Sequence, residues 1–375
     1  MKITLLALVI IFSSLVLAGC SLVPSKNSGG VKQFALSQDI WKSIDGGETW
    51  QLKNHGEGGA NIKNADVLSF AVNPYDSDNV FAGLKKGGIL KTENGGDTWK
   101  FINFQSEKVY GLALDPTNGK TLYASGVWEG TGKIFRSEDQ GENWKEIYTS
   151  PSAGPIIISI TIDKKSPNII YATTSGNEAL KSSDGGVSWK NIYLDDTPIV
   201  KISEDASDNN LIYFVTDGRK VFRSKNGGSD FENITDKVDT DKDNKTPSRL
   251  SGRNFDILET DPFRANNVYL AGEGGIVLSQ DAGETWKKIS VLNNPQNFPI
   301  KALAIDPKDS TNLVYGASKA IYKSNDGGVN WITSQFDTKK TANVIVYDLS
   351  NPNVVYAGFS QPSNNFNKIN GYRNN

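Results

Sequence analysis

Three aspartates at alternate positions are the clearest sign of chemistry in this 375-residue sequence. Asp239, Asp241 and Asp243 have the D-x-D-x-D spacing of alternate oxygen ligands with which a calcium loop begins. The pattern then departs from such a loop, because Leu250 stands where a bidentate glutamate is needed. The sequence therefore favours a solvated acidic loop, with calcium as the alternative, and predicts no other cofactor.

Five other side chains form a candidate binding face. Arg249 and Arg253 end the same polar segment and could grip an anionic group, with ordinary surface charge as the alternative. Trp128 and Glu129 lie in a predicted glycine-flanked loop, where the indole could stack on a sugar ring, bind a partner or cap the edge of a sheet. His55 is the sole histidine and is predicted in another loop, with chance surface placement as the alternative.

The elements that would position these residues follow from a short phrase that recurs seven times. Each copy has a small or hydroxyl residue, an acidic or amide residue, glycine and a closing aromatic, and consecutive copies are 42 to 55 residues apart. The acidic or amide side chain can accept backbone N–H bonds and the glycines supply positive φ, which predicts a hairpin turn. The acidic or amide residue and the closing aromatic of each copy are Asp45 and Trp50, Asn94 and Trp99, Asp139 and Trp144, Asp184 and Trp189, Asn226 and Phe231, Asp281 and Trp286, and Asp326 and Trp331.

A second motif precedes each copy and has the same period. An apolar segment ends in Asp or Asn, and an aromatic residue follows eight or nine positions later. The pairs are Asn73 and Phe81, Asp115 and Tyr123, Asp163 and Tyr171, Asp205 and Tyr213, Asp261 and Tyr269, Asp306 and Tyr315, and Asp348 and Tyr356. Each unit therefore reads as four short strands, labelled A to D, with the recurring phrase between C and D.

Seven such units predict an all-β fold, a seven-bladed β-propeller of four-stranded antiparallel blades. The chain opens in the middle of one unit and closes in the middle of another, so N- and C-terminal strands should join to close the ring. The closing blade takes two strands from the C-terminus, or only one if Phe34 and Ala35 supply strand B.

The beginning of the sequence predicts export. Lys2 is followed by an apolar run that ends in Leu17-Ala18-Gly19-Cys20, the lipobox of bacterial lipoproteins. An uncleaved membrane anchor is the alternative, although the run is short for a membrane span. We therefore expect a protein attached to membrane lipid through Cys20, as by palmitate, on the extracytoplasmic side of a bacterial cell membrane or outer membrane.

These signals divide the chain into four parts. The predicted parts are a lipoprotein signal peptide (1–19), the lipidated Cys20 with a flexible tether (20–31), the propeller (32–359) and a polar tail (360–375). The formal net charge of −2 gives no reason to expect a nucleic-acid partner. Because Cys20 is the only cysteine, disulfides within the chain are excluded. We expect a monomer.

The tandem phrases and the Asp-Pro or Asn-Pro turns resemble the BNR/Asp-box propeller superfamily, and the resemblance covers residues 33–358. This superfamily includes sialidases, xyloglucanase-type glycoside hydrolases, the sortilin N-terminal propeller and the photosystem II stability and assembly factors. The phrase is accordingly called the Asp box below. The single-domain length and the even repeats look most like the assembly-factor and sortilin-type propellers, here carried on a predicted bacterial lipoprotein.

The resemblance leaves the activity to be decided from the residues. The arginine triad and Arg-Ile-Pro motif of sialidases are missing, and the visible aspartates, such as Asp115, Asp261 and Asp306, recur as turn residues. We therefore predict a non-catalytic, lipid-anchored scaffold that binds a protein or glycan partner. The alternative is a carbohydrate-active protein, either a glycoside hydrolase or a lectin.

Overall fold

A computed structural model describes residues 39–361, except for 60–61, 63–64, 105–107, 152–153, 218 and 239–254. Strands predominate in this part of the chain, and its helical elements are 3₁₀ turns at Glu57–Gly59 and Thr235–Val238. No helix among the described residues is long and apolar enough to span a bilayer.

The described residues form seven four-stranded antiparallel sheets, which confirms the predicted all-β, seven-bladed propeller. In chain order the strands are β1 (Ile40–Ser43), β2 (Gln51–Leu52), β3 (Val67–Asn73), β4 (Asp76–Leu84), β5 (Ile89–Thr92), β6 (Lys100–Phe101), β7 (Lys108–Leu114), β8 (Leu122–Trp128), β9 (Thr131–Ser137), β10 (Lys145–Thr149), β11 (Ile157–Ile162), β12 (Ile170–Thr174), β13 (Glu178–Ser182), β14 (Lys190–Leu194), β15 (Ile199–Glu204), β16 (Ile212–Thr216), β17 (Val221–Ser224), β18 (Glu232–Asn233), β19 (Phe255–Thr260), β20 (Val268–Gly272), β21 (Gly275–Ser279), β22 (Lys287–Ile289), β23 (Ile300–Ile305), β24 (Leu313–Ala317), β25 (Ala320–Ser324), β26 (Ile332–Gln335), β27 (Thr341–Tyr347) and β28 (Val355–Ser360).

Six blades use four consecutive strands, and the A strands lie innermost. Each A strand contacts the A strands of both neighbouring blades, so that these seven strands complete a ring. We call them the inner strands; they are β3, β7, β11, β15, β19, β23 and β27. Seven clusters of buried apolar residues fill the spaces between the sheets, as expected for sheets that pack face to face.

The seventh blade is built from both ends of the described chain, in the order β2-β1-β28-β27. Strands β1 and β28 are antiparallel, with Ile40 opposite Gly358 and Ser43 opposite Val355. Two strands of this blade, β27 and β28, therefore come from the C-terminal side. Strand β28 is strand B of the closing blade, the position that the alternative prediction gave to Phe34 and Ala35. Those two residues lie outside the described part.

A buried cluster of charges reinforces this closure. Lys340, which is 6% exposed, contacts the carboxylates of Asp39 and Asp66, with 3.0 Å between its Nζ and Asp66 Oδ1. Asp39 immediately precedes β1, Lys340 precedes β27, and Asp66 precedes β3 of the next blade. One ammonium group thus ties together both chain ends and the first complete blade.

The Asp boxes form the turns between strands C and D. In the copy at Asp139, Gly141 N–H donates to Ser137 Oγ at 2.8 Å, and that hydroxyl donates to Asp139 Oδ1 at 2.7 Å. Hydrogen bonds from the backbone and side chain of Asn143, followed by that from Ser137, lower the pKa of Asp139 to about 2. Gly141 has a φ of 87°, a conformation that favours glycine.

The closing aromatics are buried to different extents. Trp99 is fully buried, whereas the other six are only partly covered. Trp99 is covered by the segment that follows β2. The backbone N–H of Trp99 donates to His55 O, and its indole Nε1 donates to Lys53 O at 2.9 Å. A closing tryptophan is therefore fully buried only where a neighbouring segment covers it.

The unit that begins at Asp306 departs from the predicted aromatic motif by one residue. Val314 pairs with Lys323, the lysine just before the Asp-box serine, as Tyr171 pairs with Lys181 in its own blade. Val314, not Tyr315, is therefore the structural counterpart of Tyr171. Tyr347, from the following blade, instead places its hydroxyl 3.2 Å from Lys323 Nζ. The turn from Ile305 to Leu313 has the same length as that from Ile162 to Ile170, so Tyr315 lies one position further along its strand than the motif predicts.

We expect Lys340→Met to lower the free energy of unfolding by about 3–5 kcal/mol, because it leaves the buried carboxylate of Asp39 and the partly buried carboxylate of Asp66 without their cation. Urea denaturation of the purified chain measures this loss. Lys339→Met is the matched control, since Lys339 is exposed and its replacement should change stability by no more than about 0.5 kcal/mol. Equal losses in both variants would show that the buried cluster does not secure the ring.

Candidate functional site

The connections between strands are segregated onto two faces of the propeller. Because successive strands alternate in direction, the B–C and D–A connections share one face, here called the loop face. The A–B turns and the Asp boxes share the opposite face, here called the box face. For example, the backbone N–H of Gly46 in one Asp box donates a hydrogen bond to the carbonyl of Asn353 in an A–B turn.

Every inner strand has a bulge near its loop-face end. The pairing of inner strand with strand B skips one residue in each blade, between two pairs that are otherwise consecutive. We call these skipped residues the mouth ring; they are Leu68, Tyr110, Ile158, Val200, Asp256, Lys301 and Asn343. Each follows a buried residue and is itself at least partly exposed, so the bulges place seven partly exposed residues around the loop-face ends of the inner strands.

The mouth ring is chemically two-sided. Four consecutive blades contribute apolar or aromatic residues, Leu68, Tyr110, Ile158 and Val200, which we call the apolar arc. The next three contribute Asp256, Lys301 and Asn343, the polar arc. Burial raises the pKa of Tyr110, so its phenol stays neutral and the arc carries no charge.

Two carboxylates lie on one inner strand at the polar arc. Asp256 Oδ2 is 3.2 Å from Lys301 Nζ of the next blade, and Glu259 Oε1 is 2.8 Å from Lys201 Nζ of the preceding blade. The two acids are three residues apart, which corresponds to about 10 Å of strand and somewhat less across a bulge. The polar arc therefore carries two carboxylates, the pair of groups that glycosidases use as acid and base.

A third inner-strand carboxylate, Glu204, lies at the box-face end of β15 and is 4% exposed. Desolvation raises the pKa of Glu204 to about 7, only partly offset by the charge of Lys164. Its Oε2 and the hydroxyl of Tyr171 are both buried without a hydrogen-bond partner among the described residues. Glu204 is buried at the opposite face from the loop face, so it does not belong to the candidate site. We expect it to affect stability instead.

Trp128 and Glu129 remain on the loop face, but the loop is shorter than predicted. Strand β8 continues to Trp128, which pairs with Thr131, so that only Glu129 and Gly130 form the turn. Glu129 has a φ of 50° and is exposed. The Trp128 ring lies 5.7 Å from Phe135, which matches the edge-capping alternative for this indole.

His55 does not lie with the other candidates. Its backbone carbonyl accepts a hydrogen bond from Trp99, the closing residue of the Asp box in the first complete blade. This pairing directs the segment along the outer edge of that blade, so His55 sits beside the charge of Asp97 and away from the mouth ring.

The remaining predicted site residues lie outside the described part of the chain. These are Cys20, the arginines Arg249 and Arg253, and the aspartates Asp239, Asp241 and Asp243. Within the described ranges, no three His, Cys, Asp or Glu side chains are grouped so that they could hold a metal ion. The calcium alternative therefore stays a prediction.

The architecture and the repeats match a known family. The Sortilin-Vps10 family model, described as sortilin, neurotensin receptor 3, matches residues 132–240 and 219–363. The chain belongs to the Sortilin-Vps10 family. The sortilin-type resemblance inferred from the repeats is thereby confirmed, and lipid attachment stays a prediction.

Curated relatives of this Sortilin-Vps10 propeller are xyloglucanases. An oligoxyloglucan-reducing end-specific xyloglucanase of Emericella nidulans is 30% identical over 88 residues, which cover 22% of this chain and 10% of the relative. A xyloglucanase of a Paenibacillus species is 28% identical over 164 residues, covering 33% of this chain and 16% of the relative. Matches to these and a further xyloglucanase span at most 20% of the relatives' length.

Solved structures show the same fold. The GH74 enzyme of Niastella koreensis superposes with a TM-score of 0.61 at 18% identity, over 85% of this chain and 52% of that one. YCF48 from Cyanidioschyzon merolae superposes with a TM-score of 0.58 at 17% identity, over 80% of this chain and 97% of that one. At these identities the likeness establishes the fold alone.

The xyloglucanase relatives contradict the prediction of a non-catalytic scaffold and favour the carbohydrate-active alternative. That prediction considered only aspartates that recur in A–B turns, and such residues do accept turn amides, as Asp115 accepts from Thr117 at 2.8 Å. It missed Asp256 and Glu259, which interrupt an otherwise apolar inner strand. The available signal was this departure from the pattern, since the other inner strands contain no carboxylate apart from Glu204.

Glu204 makes the stability of the fold depend on pH. Because its folded pKa of about 7 is above the ordinary value of 4.5, the protonated side chain stabilises the fold fully below pH 4.5, and this stability is lost as pH rises through 7. The loss is of order 3 kcal/mol. We expect Glu204→Gln to flatten the decline in unfolding free energy between pH 4.5 and 8, measured by urea denaturation.

The control for this prediction is Glu48→Gln, an exposed Asp-box position that should keep the wild-type slope. Parallel slopes for Glu204→Gln and the wild type would contradict the assignment, whatever the absolute stability of the variant.

Proposed function

We propose that this propeller is a carbohydrate-active protein that binds a β-glucan of the xyloglucan class across its loop face and hydrolyses it. The observation that carries the proposal is the position of Asp256 and Glu259, two carboxylates on one inner strand that are each paired with a lysine of a neighbouring blade. Glycosidases use such a pair of carboxyl groups as acid and base. The xyloglucanase relatives support the class of substrate.

Both carboxylates are within reach of solvent. The side chain of Glu259 is 29% exposed, and that of Asp256 is 37% exposed at the mouth ring. One carboxyl group would protonate the leaving oxygen as the general acid, and the other would take a proton from the water that attacks the anomeric carbon. Lys301 and Lys201 would hold the two side chains in position.

The apolar arc supplies the other half of the binding surface. Pyranose rings present C–H faces that pack against apolar and aromatic side chains, and Tyr110 offers such a ring within the arc. A glucan crossing the loop face would then contact apolar residues on one side and place a glycosidic bond over the acids on the other.

We also propose that the propeller is held at the extracytoplasmic membrane surface through lipid on Cys20. A diacylglyceryl thioether accounts for the single cysteine of the chain, and more than one acyl chain gives stable anchoring. The enzyme would then act on glycans brought to the cell surface.

Asp256→Asn and Glu259→Gln should each lower kcat on xyloglucan oligosaccharides by about 100-fold or more, because each removes one proton-transfer group. A reducing-end assay on the purified chain measures turnover, and thermal unfolding checks that the variants are folded. Asp337→Asn, an exposed acid on a D–A connection, should retain wild-type turnover. Turnover that survives in both variants, or a wild-type chain that binds the oligosaccharides without cleaving them, would overturn the hydrolytic assignment.

Cys20→Ala should abolish incorporation of labelled palmitate and release the protein from the membrane fraction, since it removes the only thiol. Fractionation of the bacterial host with palmitate labelling tests both effects, and Ser21→Ala serves as the control that keeps the thiol. Retention of Cys20→Ala in the membrane fraction would support the uncleaved anchor instead.

A further inference from the structure

The connection from β22 to β23 combines an exposed aromatic ring with amide side chains. Residues 290–299, here called the neutral loop, contain no charged residue, although charged residues make up 22% of the chain. Phe298 is 52% exposed, and Asn294, Gln296 and Asn297 are exposed near it in sequence. An aromatic ring packs against the C–H face of a sugar, and amides both donate and accept hydrogen bonds as sugar hydroxyls require.

The neutral loop is held in place by Tyr315, the residue displaced from the aromatic motif. Its hydroxyl donates to Asn293 Oδ1 at 3.0 Å and accepts from Leu292 N–H at 3.3 Å, while its ring stacks on Tyr322 at 4.5 Å. Asn293 Nδ2 in turn donates to Phe298 O at 2.7 Å. The loop is thus ordered before any ligand arrives, which lowers the entropic cost of binding.

The neutral loop borders the polar arc. Phe298 lies three residues before Lys301, whose ammonium group is 3.2 Å from Asp256. Three residues of chain reach at most about 10 Å. A sugar unit stacked on Phe298 would therefore lie within one or two sugar lengths of the proposed acids.

We propose that the neutral loop is a subsite for one sugar unit of an uncharged polysaccharide, with Phe298 stacked on a pyranose ring. This inference rests on the proposed function and extends it from a class of substrate to a named subsite. The loop itself has no cation to pair with a uronate carboxylate, and the nearby Lys301 is already paired with Asp256. The loop therefore favours a neutral glucan over an anionic polysaccharide.

Phe298→Ala in the full chain tests the subsite. Affinity gel electrophoresis with neutral xyloglucan should show a rise in Kd of about tenfold or more, as expected for the loss of a central aromatic anchor. Phe263→Ala is the matched control, because Phe263 is 53% exposed but lies in an A–B turn on the box face. The same gels with polygalacturonate should show weaker retention of the wild type than gels with xyloglucan.

Each outcome bears on the subsite separately from hydrolysis. Lower affinity in Phe298→Ala, with Phe263→Ala unchanged, supports the subsite even if the wild type cleaves nothing. Equal affinity of Phe298→Ala and the wild type overturns the subsite even if Asp256→Asn is inactive. Preference of the wild type for polygalacturonate overturns it as well, and a wild type with no affinity for xyloglucan overturns both the subsite and the proposed function.

Discussion

The backbone pairing of β1 with β28 is the interaction on which the rest of the molecule depends. These strands are more than 300 residues apart in sequence, and their ladder converts an open row of sheets into a ring. Without it, two strand edges would be exposed to other chains. The buried Lys340 cluster exists only when the ring is closed, because its members come from both chain ends and from the first complete blade.

The site follows from this closure. Asp256 and Glu259 sit on one strand, but their lysine partners come from the blades on either side. The apolar arc likewise spans four blades. No single blade contains the surface that would bind a glycan, so function depends on the angle at which consecutive blades pack.

The sequence could predict what is local. Each Asp box closes within a few residues through its own hydroxyl, carboxylate or amide and glycine, so the phrase predicts the turn without any knowledge of its surroundings. The number of blades follows from counting such turns. His55 and Trp99 show the limit, because only the tertiary path of the chain after β2 brings them together.

The acids of the candidate site were missed for a different reason. Repeat-based reasoning gives weight to residues that recur, and a functional group in a repeat protein is a departure from the repeat. Asp256 and Glu259 occur once each in a strand whose counterparts are mostly apolar. Tyr315 is a similar departure, and its hydroxyl supports the neutral loop through Leu292 and Asn293.

The bulge shared by all seven inner strands has a consequence for how such a surface diversifies. A residue outside the ladder can be exchanged without shifting the register of its strand, whereas an insertion elsewhere would reverse the faces of every following side chain. The seven positions of the mouth ring can therefore differ in chemistry while the strand framework stays the same, and neighbouring positions can also pair, as Asp256 and Lys301 do. Evolution can change the chemistry of this ring by one substitution at a time while the hydrogen-bonded architecture stays the same.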